Sequence, residues 1–239
     1  MTKQLSFIGI DGCKGKWVAV CITESRFEVK KYDSIAEICT RYNDADRYLI
    51  DMPIGLVEKE IDVRPDAIVR KMLGPKGSSI FGVPCRQAVY AESKAAAREK
   101  NIAVLGKSLS EQTLGIAHAI RQVDEFLQGN TGWKDRLLES HPELCFMKLN
   151  GNRPVLEHKM SAEGRDIRMS ILRGYYPLAD EVVARYLAEV PSRKKTDDVV
   201  DALCLAVMGM VMMAKSIKSA PESPMRDSTG LLMQMVYAE

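Results

Sequence analysis

The chain begins with three short apolar runs set close together. Gln4 to Asp11 is closed by Gly-Ile-Asp-Gly, Lys16 to Ile22 is β-branched, and Arg26 to Tyr32 alternates, with Phe27 and Val29 on one side and Glu28 and Lys30 on the other. Gly12 and Gly15 separate the first two runs, and Glu24-Ser25 the next two. Such spacing predicts three strands joined by tight turns, an antiparallel meander. Ser34 to Tyr42 carries Ile35, Ile38 and Cys39 at helical spacing, and Ser34 is a suitable N-cap. Arg47 to Asp51 is again strand-like and ends before Met52-Pro53, where proline forbids further pairing.

Beyond this point the pattern becomes helical. Helices are expected over Pro65–Leu73, Gln87–Lys100, Ser110–Leu127, Ser161–Arg173, Leu178–Ala188 and Thr196–Lys215. Gly74 to Pro84 reads as a loop, Arg136 to Glu139 as a short strand, and Leu231 to Tyr237 as a last strand. The order is β-β-β-α-β, a helical insertion at about 57–131, then β and helices. It implies an α/β fold with a mixed five-stranded sheet over one domain, 1–239. With right-handed crossovers, the first strand lies beside the fourth and the fourth beside the fifth.

Composition narrows the class without changing this picture. Hydrophobic residues are 46% of the 239, aromatics only 6%, so the core must rest on aliphatic side chains and methionine. Thirty-four Lys and Arg against 32 Asp and Glu leave +2, which excludes a generally cationic coat protein but not a local basic groove. The apolar run Ala202 to Ala214 is too short to span a bilayer. Six scattered cysteines form no C-x-x-C pair. With no apparent leader at the N-terminus, a cytoplasmic protein without membrane partners is expected.

Acids stand where strands end: Asp11 on the first, Asp51 on the fourth, Glu139 on the fifth. Parallel neighbours lie about 4.8 Å apart, and their carboxyl ends are where open α/β sheets place their sites. The last helix adds Asp197, Asp198 and Asp201, of which Asp198 and Asp201 share a face. Singly, each acid is better read as a turn or cap residue. Together they would repel one another unless a cation neutralised them, and oxygen donors favour Mg²⁺ or Mn²⁺. Two such ions suit attack of water on a phosphodiester.

Gly9-Ile10-Asp11-Gly12, Ile50-Asp51-Met52-Pro53-Ile54-Gly55-Leu56 and Asp197-Asp198-Val199-Val200-Asp201-Ala202-Leu203 resemble the RNase H-like superfamily. The spacing Asp-x-x-Asp-Ala-Leu at Asp198 and Asp201 is similar to the last motif of RuvC-type Holliday-junction resolvases, although Asp51 stands where those enzymes usually carry a glutamate. A closer resemblance, over nearly the whole chain, is to an uncharacterised domain-of-unknown-function family of predicted RNase H-like nucleases. It rests on residues 9–17, Ser79-Ile80-Phe81 with Pro84-Cys85-Arg86, Glu139-Ser140-His141-Pro142-Glu143, and Lys159 with Glu163-Gly164-Arg165. The resemblance implies an RNase H-like fold and a nuclease label that rests on fold analogy.

The expectation is therefore a metal-dependent nuclease or phosphodiesterase. Asp11, Asp51, Asp198 and Asp201 are the expected catalytic and metal-holding residues, with Glu139 a further metal ligand. Arg86, Lys159 and Arg165 are expected to hold substrate phosphates, and Arg193-Lys194-Lys195 form a further basic candidate. The expected partner is nucleic acid or a small phosphorylated substrate, and a homo-oligomer is compatible with the Met-rich last helix. Two alternatives stand beside it. One is an actin-like nucleotide-binding phosphotransferase, for which Gly12 to Lys16 is a candidate phosphate turn but no second glycine-rich hairpin follows. The other is a non-catalytic nucleic-acid or protein-binding module on the same scaffold.

Overall fold

The computed structural model describes residues 4–60, 62–190 and 196–239. The meander forms as β1 (Phe7–Cys13), β2 (Lys16–Ile22) and β3 (Phe27–Tyr32). Helix α1 (Ile35–Arg41) follows, with Ser34 Oγ accepting the Glu37 N–H as its cap, and then β4 (Arg47–Ile50). Four helices, α2 (Asp66–Leu73), α3 (Arg86–Val89), α4 (Lys94–Leu105) and α5 (Glu111–Gly129), precede β5 (Leu137–Glu139). The sheet order is β3-β2-β1-β4-β5. β1 runs antiparallel to β2 and parallel to β4, and β4 parallel to β5, so the expected mixed sheet is present. Ile10 pairs with Ile50, and Ile50 with Glu139, which brings three strand ends to one edge.

The remaining chain forms α6 (Pro142–Leu149), α7 (Ala162–Tyr175), α8 (Ala179–Glu189), α9 (Thr196–Val211) and a hairpin of β6 (Ile217–Ala220) with β7 (Met235–Ala238). Several details depart from the sequence pattern. β1 continues past Asp11 to Cys13, because Gly12 and Cys13 still pair with Trp17 and Lys16. The helix expected over Gln87–Lys100 is two helices, since Ser93 caps a new start by accepting the Ala96 N–H. The loop at Gly74 begins as a 3-10 turn, Gly74–Ser79. α6 was concealed by its His-Pro start: proline at its first turn costs no hydrogen bond and His141 supplies the cap. β6 lacks alternation, being exposed at Ile217 and Lys218, and the strand expected over Leu231–Tyr237 is confined to β7, Met235–Ala238. Arg193, Lys194 and Lys195 lie outside the described residues.

The sheet is covered on both faces. Alternation along β1 sends Ile8 and Ile10 to a core with α1 and α5, while Phe7 packs with α9. Gly9 and Asp11 share the parity of Phe7. The approach of α9 to β1 is so close that a Cβ on Gly9 would lie 1.9 Å from the Ala202 carbonyl oxygen and 2.4 Å from the Ala206 nitrogen. Only glycine permits that contact. α9 is buried over most of its length, from Val199 to Gly209, and its first turns therefore sit over the end of β1, where Asp11 emerges.

Candidate active site

Asp11 and Asp51 leave adjacent parallel strands, and the Asp51 N–H donates to the Ile10 carbonyl at 2.9 Å, which fixes the two backbones side by side. Asp11 Oδ1 accepts the N–H of Gly12 at 2.8 Å. Burial pushes the Asp11 carboxyl well above the usual carboxylate range, and the charges of Asp51, Asp201 and Asp198 push it further, against the pull of Lys159. Asp51 is raised by burial and by Glu143, with His141 and Lys159 opposing. Asp201 is pushed up to about 6 by burial and the charges of Asp51 and Glu143, again opposed by Lys159. Asp198 is raised by burial and Asp197. Asp11 of β1 thus feels the charges of Asp51, just past β4, and of Asp198 and Asp201 of α9, and Asp201 feels that of Asp51.

The cation inside this cluster is Lys159. Its Nζ donates to Asp201 Oδ2 at 2.7 Å. Burial alone would lower its pKa, but Asp201, Asp11 and Asp51 together raise it, so the ammonium is held charged. Lys31 bears on Asp198, and His141 on Asp51. Arg165 lines the same small recess as Lys159 and Asp201, with Arg168, Asp197 and Thr196 around it.

Glu139 is held differently. Its Oε1 accepts from Arg64 at 2.7 Å and its Oε2 from the Ile54 N–H at 2.7 Å. Burial drives its pKa up, to about 8, against Arg64. Both carboxylate oxygens already have protein partners, although Glu139 does line the adjoining cavity. Arg86 is placed apart from the aspartates. Its guanidinium joins Asp124 at 2.6 Å, Asp227 at 2.5 Å and Glu58 at 2.7 Å, tying α3 and α5 to the segment before β7. Its Nη1 and Nη2 donate to Asp124 and Asp227 and hold the helical layer together.

Sequence reasoning gave little weight to three neighbours. His141 caps α6, its Nδ1 accepting the Glu143 N–H at 3.2 Å. A ring whose Nδ1 accepts carries its neutral-state proton on Nε2, so His141 presents a donor rather than a base. Glu143 pairs with the buried Arg168 at 2.6 Å. Cys13 is buried beside Asp198 and Tyr186, and burial with the Asp198 contact pushes its thiol up, away from a reactive thiolate. The signal for Cys13 was strand parity: two residues beyond Asp11, it faces α9.

A cavity of about 330 Å³ opens beside the acids. It is lined by Asp11, Asp51 and His141, by the turn Gly12–Trp17, by the segment 80–83 and by one face of α5.

Among the described residues, no three His, Cys, Asp or Glu side chains form a ready-made cage for a metal ion. The buried carboxylate oxygens are of the donor type that hard divalent cations prefer, with Lys159 already among them. By charge and donor type Asp11, Asp51 and Asp198 fit such an ion, whereas Asp201 is already engaged by Lys159.

The model of a family described as protein of unknown function (DUF429) matches residues 9–226. No curated protein and no solved structure matches the chain.

Proposed function

The chain belongs to that family, and we propose that it is a divalent-cation-dependent phosphodiester hydrolase of nuclease type, built on an RNase H-like scaffold. One observation carries this reading. Asp11, Asp51, Asp198 and Asp201 come from three parts of the chain far apart in sequence, yet each is raised by burial, Asp11 is raised further by the charges of the other three, and Asp201 by that of Asp51. Carboxylates that destabilise one another need a compensating function. The sheet order and the placement of α9 against β1 support the scaffold.

Asp11, Asp51 and Asp198 would hold Mg²⁺ or Mn²⁺. Such an ion, when bound, polarises a phosphoryl oxygen and lowers the pKa of water. The other groups act through the chain itself. Lys159 keeps Asp201 ionised and places a positive charge beside an incoming phosphate. His141, held by its Nδ1 contact, offers Nε2–H to a phosphate oxygen in the cavity.

The test is direct. The purified chain is incubated with single-stranded, duplex and branched DNA and RNA, with Mg²⁺ or Mn²⁺. Cleavage that disappears on chelation and in Asp11→Asn and Asp51→Asn supports the reading. A panel left intact by both ions overturns it and leaves a non-catalytic binding module.

A further inference from the structure

A cavity lies next to the acids. At about 330 Å³ it has the size of a pocket for one small molecule. Its α5 face is mixed: Ile116 and Ala119 are apolar, while Gln112, His118 and Gln122 carry hydrogen-bonding groups. Trp17 donates its indole N–H to Gln122 Oε1 at 3.2 Å, and the Gln122 amide meets His118 Nε2 at 3.1 Å, so this polar wall is internally braced. Phe81 lines the cavity and is 38% exposed, an aromatic face left to solvent in a segment followed by Gly82.

A flat ligand with apolar faces and a polar edge matches this lining, and an anionic ester attached to it would reach Asp11 and Asp51. We infer that the cavity is a nucleobase pocket, so that the site takes a single nucleotide, its base between the 80–83 segment and α5 and its phosphate beside the acids. For the chemistry this rests on the hydrolase reading; for the binding it does not. The shared ligand chemistry is a nucleoside monophosphate unit, either free or at the end of a strand.

α5 supplies a clean variant. Gly115 lines the cavity, and a Cβ there would meet nothing within 4 Å. Gly115→Leu therefore fills the pocket while replacing a poor helix former, and its thermal midpoint should equal or exceed that of the parent.

The experiment measures binding to the full chain in chelator by titration calorimetry. The probes are the four common nucleoside 5′-monophosphates, ribose 5-phosphate and a short oligonucleotide. The two small probe classes carry the same phosphate, so repulsion by the acids cancels in the comparison. At least one mononucleotide should bind about tenfold or more tightly than ribose 5-phosphate. Gly115→Leu should remove that advantage with the fold intact, and Phe81→Ala should weaken it about tenfold. An oligonucleotide that outbinds its terminal mononucleotide assigns the pocket to a strand end, and the reverse assigns it to a free nucleotide; both support the pocket. Equal binding of mononucleotide and ribose 5-phosphate, or an unaffected Gly115→Leu, overturns it. If nucleic acid is cleaved but no base preference is found, the pocket fails alone. A base preference without cleavage removes the hydrolase reading alone.

Discussion

Lys159 Nζ lies 2.7 Å from Asp201 Oδ2 and places a positive charge among four aspartates. Asp201 arrives from α9 and Lys159 from the segment before α7, 42 residues apart in the chain. The contact joins the α7 side of the molecule to the edge of the sheet and sets the charge state of the cluster. Removing the lysine leaves Asp201 buried without its partner. Lys159→Met should destabilise the fold by roughly 1–2 kcal/mol, discounted from the usual cost of a broken buried pair because the lysine side chain is 42% exposed. Millimolar Mn²⁺ should raise the thermal midpoint of Lys159→Met more than that of the parent, by replacing the lost charge. Equal shifts in both proteins would count against a cation at the cluster.

The acids predict an unusual pH dependence. A carboxyl whose folded pKa lies above its unfolded value holds its proton more tightly when folded. Its ionisation therefore costs stability, a cost absent below the unfolded value near 3.8 and complete once pH exceeds the folded pKa. For Asp201 the window runs from about 4 to about 6, and Asp11 is shifted in the same direction. Asp11→Asn removes one ionisable member, and its thermal midpoint should exceed that of the parent by about 2–4 °C at pH 8. The gain should shrink at pH 5. A gain independent of pH would mean that the carboxyl is not ionised against its surroundings.

The approach of α9 to β1 predicts a steric limit. Gly9→Ala would drive a methyl group into the Ala202 carbonyl, which is backbone and cannot turn aside. The expected loss is roughly 3 kcal/mol or more, measured by denaturant unfolding. Gly12→Ala, whose added carbon would meet the Met52 methyl at 3.5 Å and the Trp17 ring at 4.0 Å, should be tolerated far better.

Arg86 offers a test of structural against phosphate-binding roles. It holds Asp124 and Asp227, whose side chains are 2% and 0% exposed. Arg86→Met should destabilise the chain by roughly 1–3 kcal/mol, because two buried carboxylates lose their counter-charge while keeping donors such as Tyr90 on Asp124 and the Leu56 N–H on Asp227. Arg86→Lys should not restore the loss, because an ammonium cannot reach three acids at once. Unchanged stability with weakened phosphate binding would return Arg86 to the role first expected for it.

The sequence by itself determined the order of the five sheet strands and of most helices, though not α6 or β6, since strand alternation, helical spacing and caps such as Ser34 are local properties. It also placed Asp11 on β1 and Asp51 just past β4, two strands that a right-handed crossover makes neighbours. Tertiary structure decided which acids share an environment. Glu139 ends β5 as Asp51 follows β4, yet Arg64, 75 residues away, takes its carboxylate. Arg86 and Lys159 look alike as isolated cations, but one ties helices together and the other enters the acidic cluster. Charge pairing depends on through-space distance, which chain position does not encode until packing contacts such as Gly9 against Ala202 fix where each helix lies.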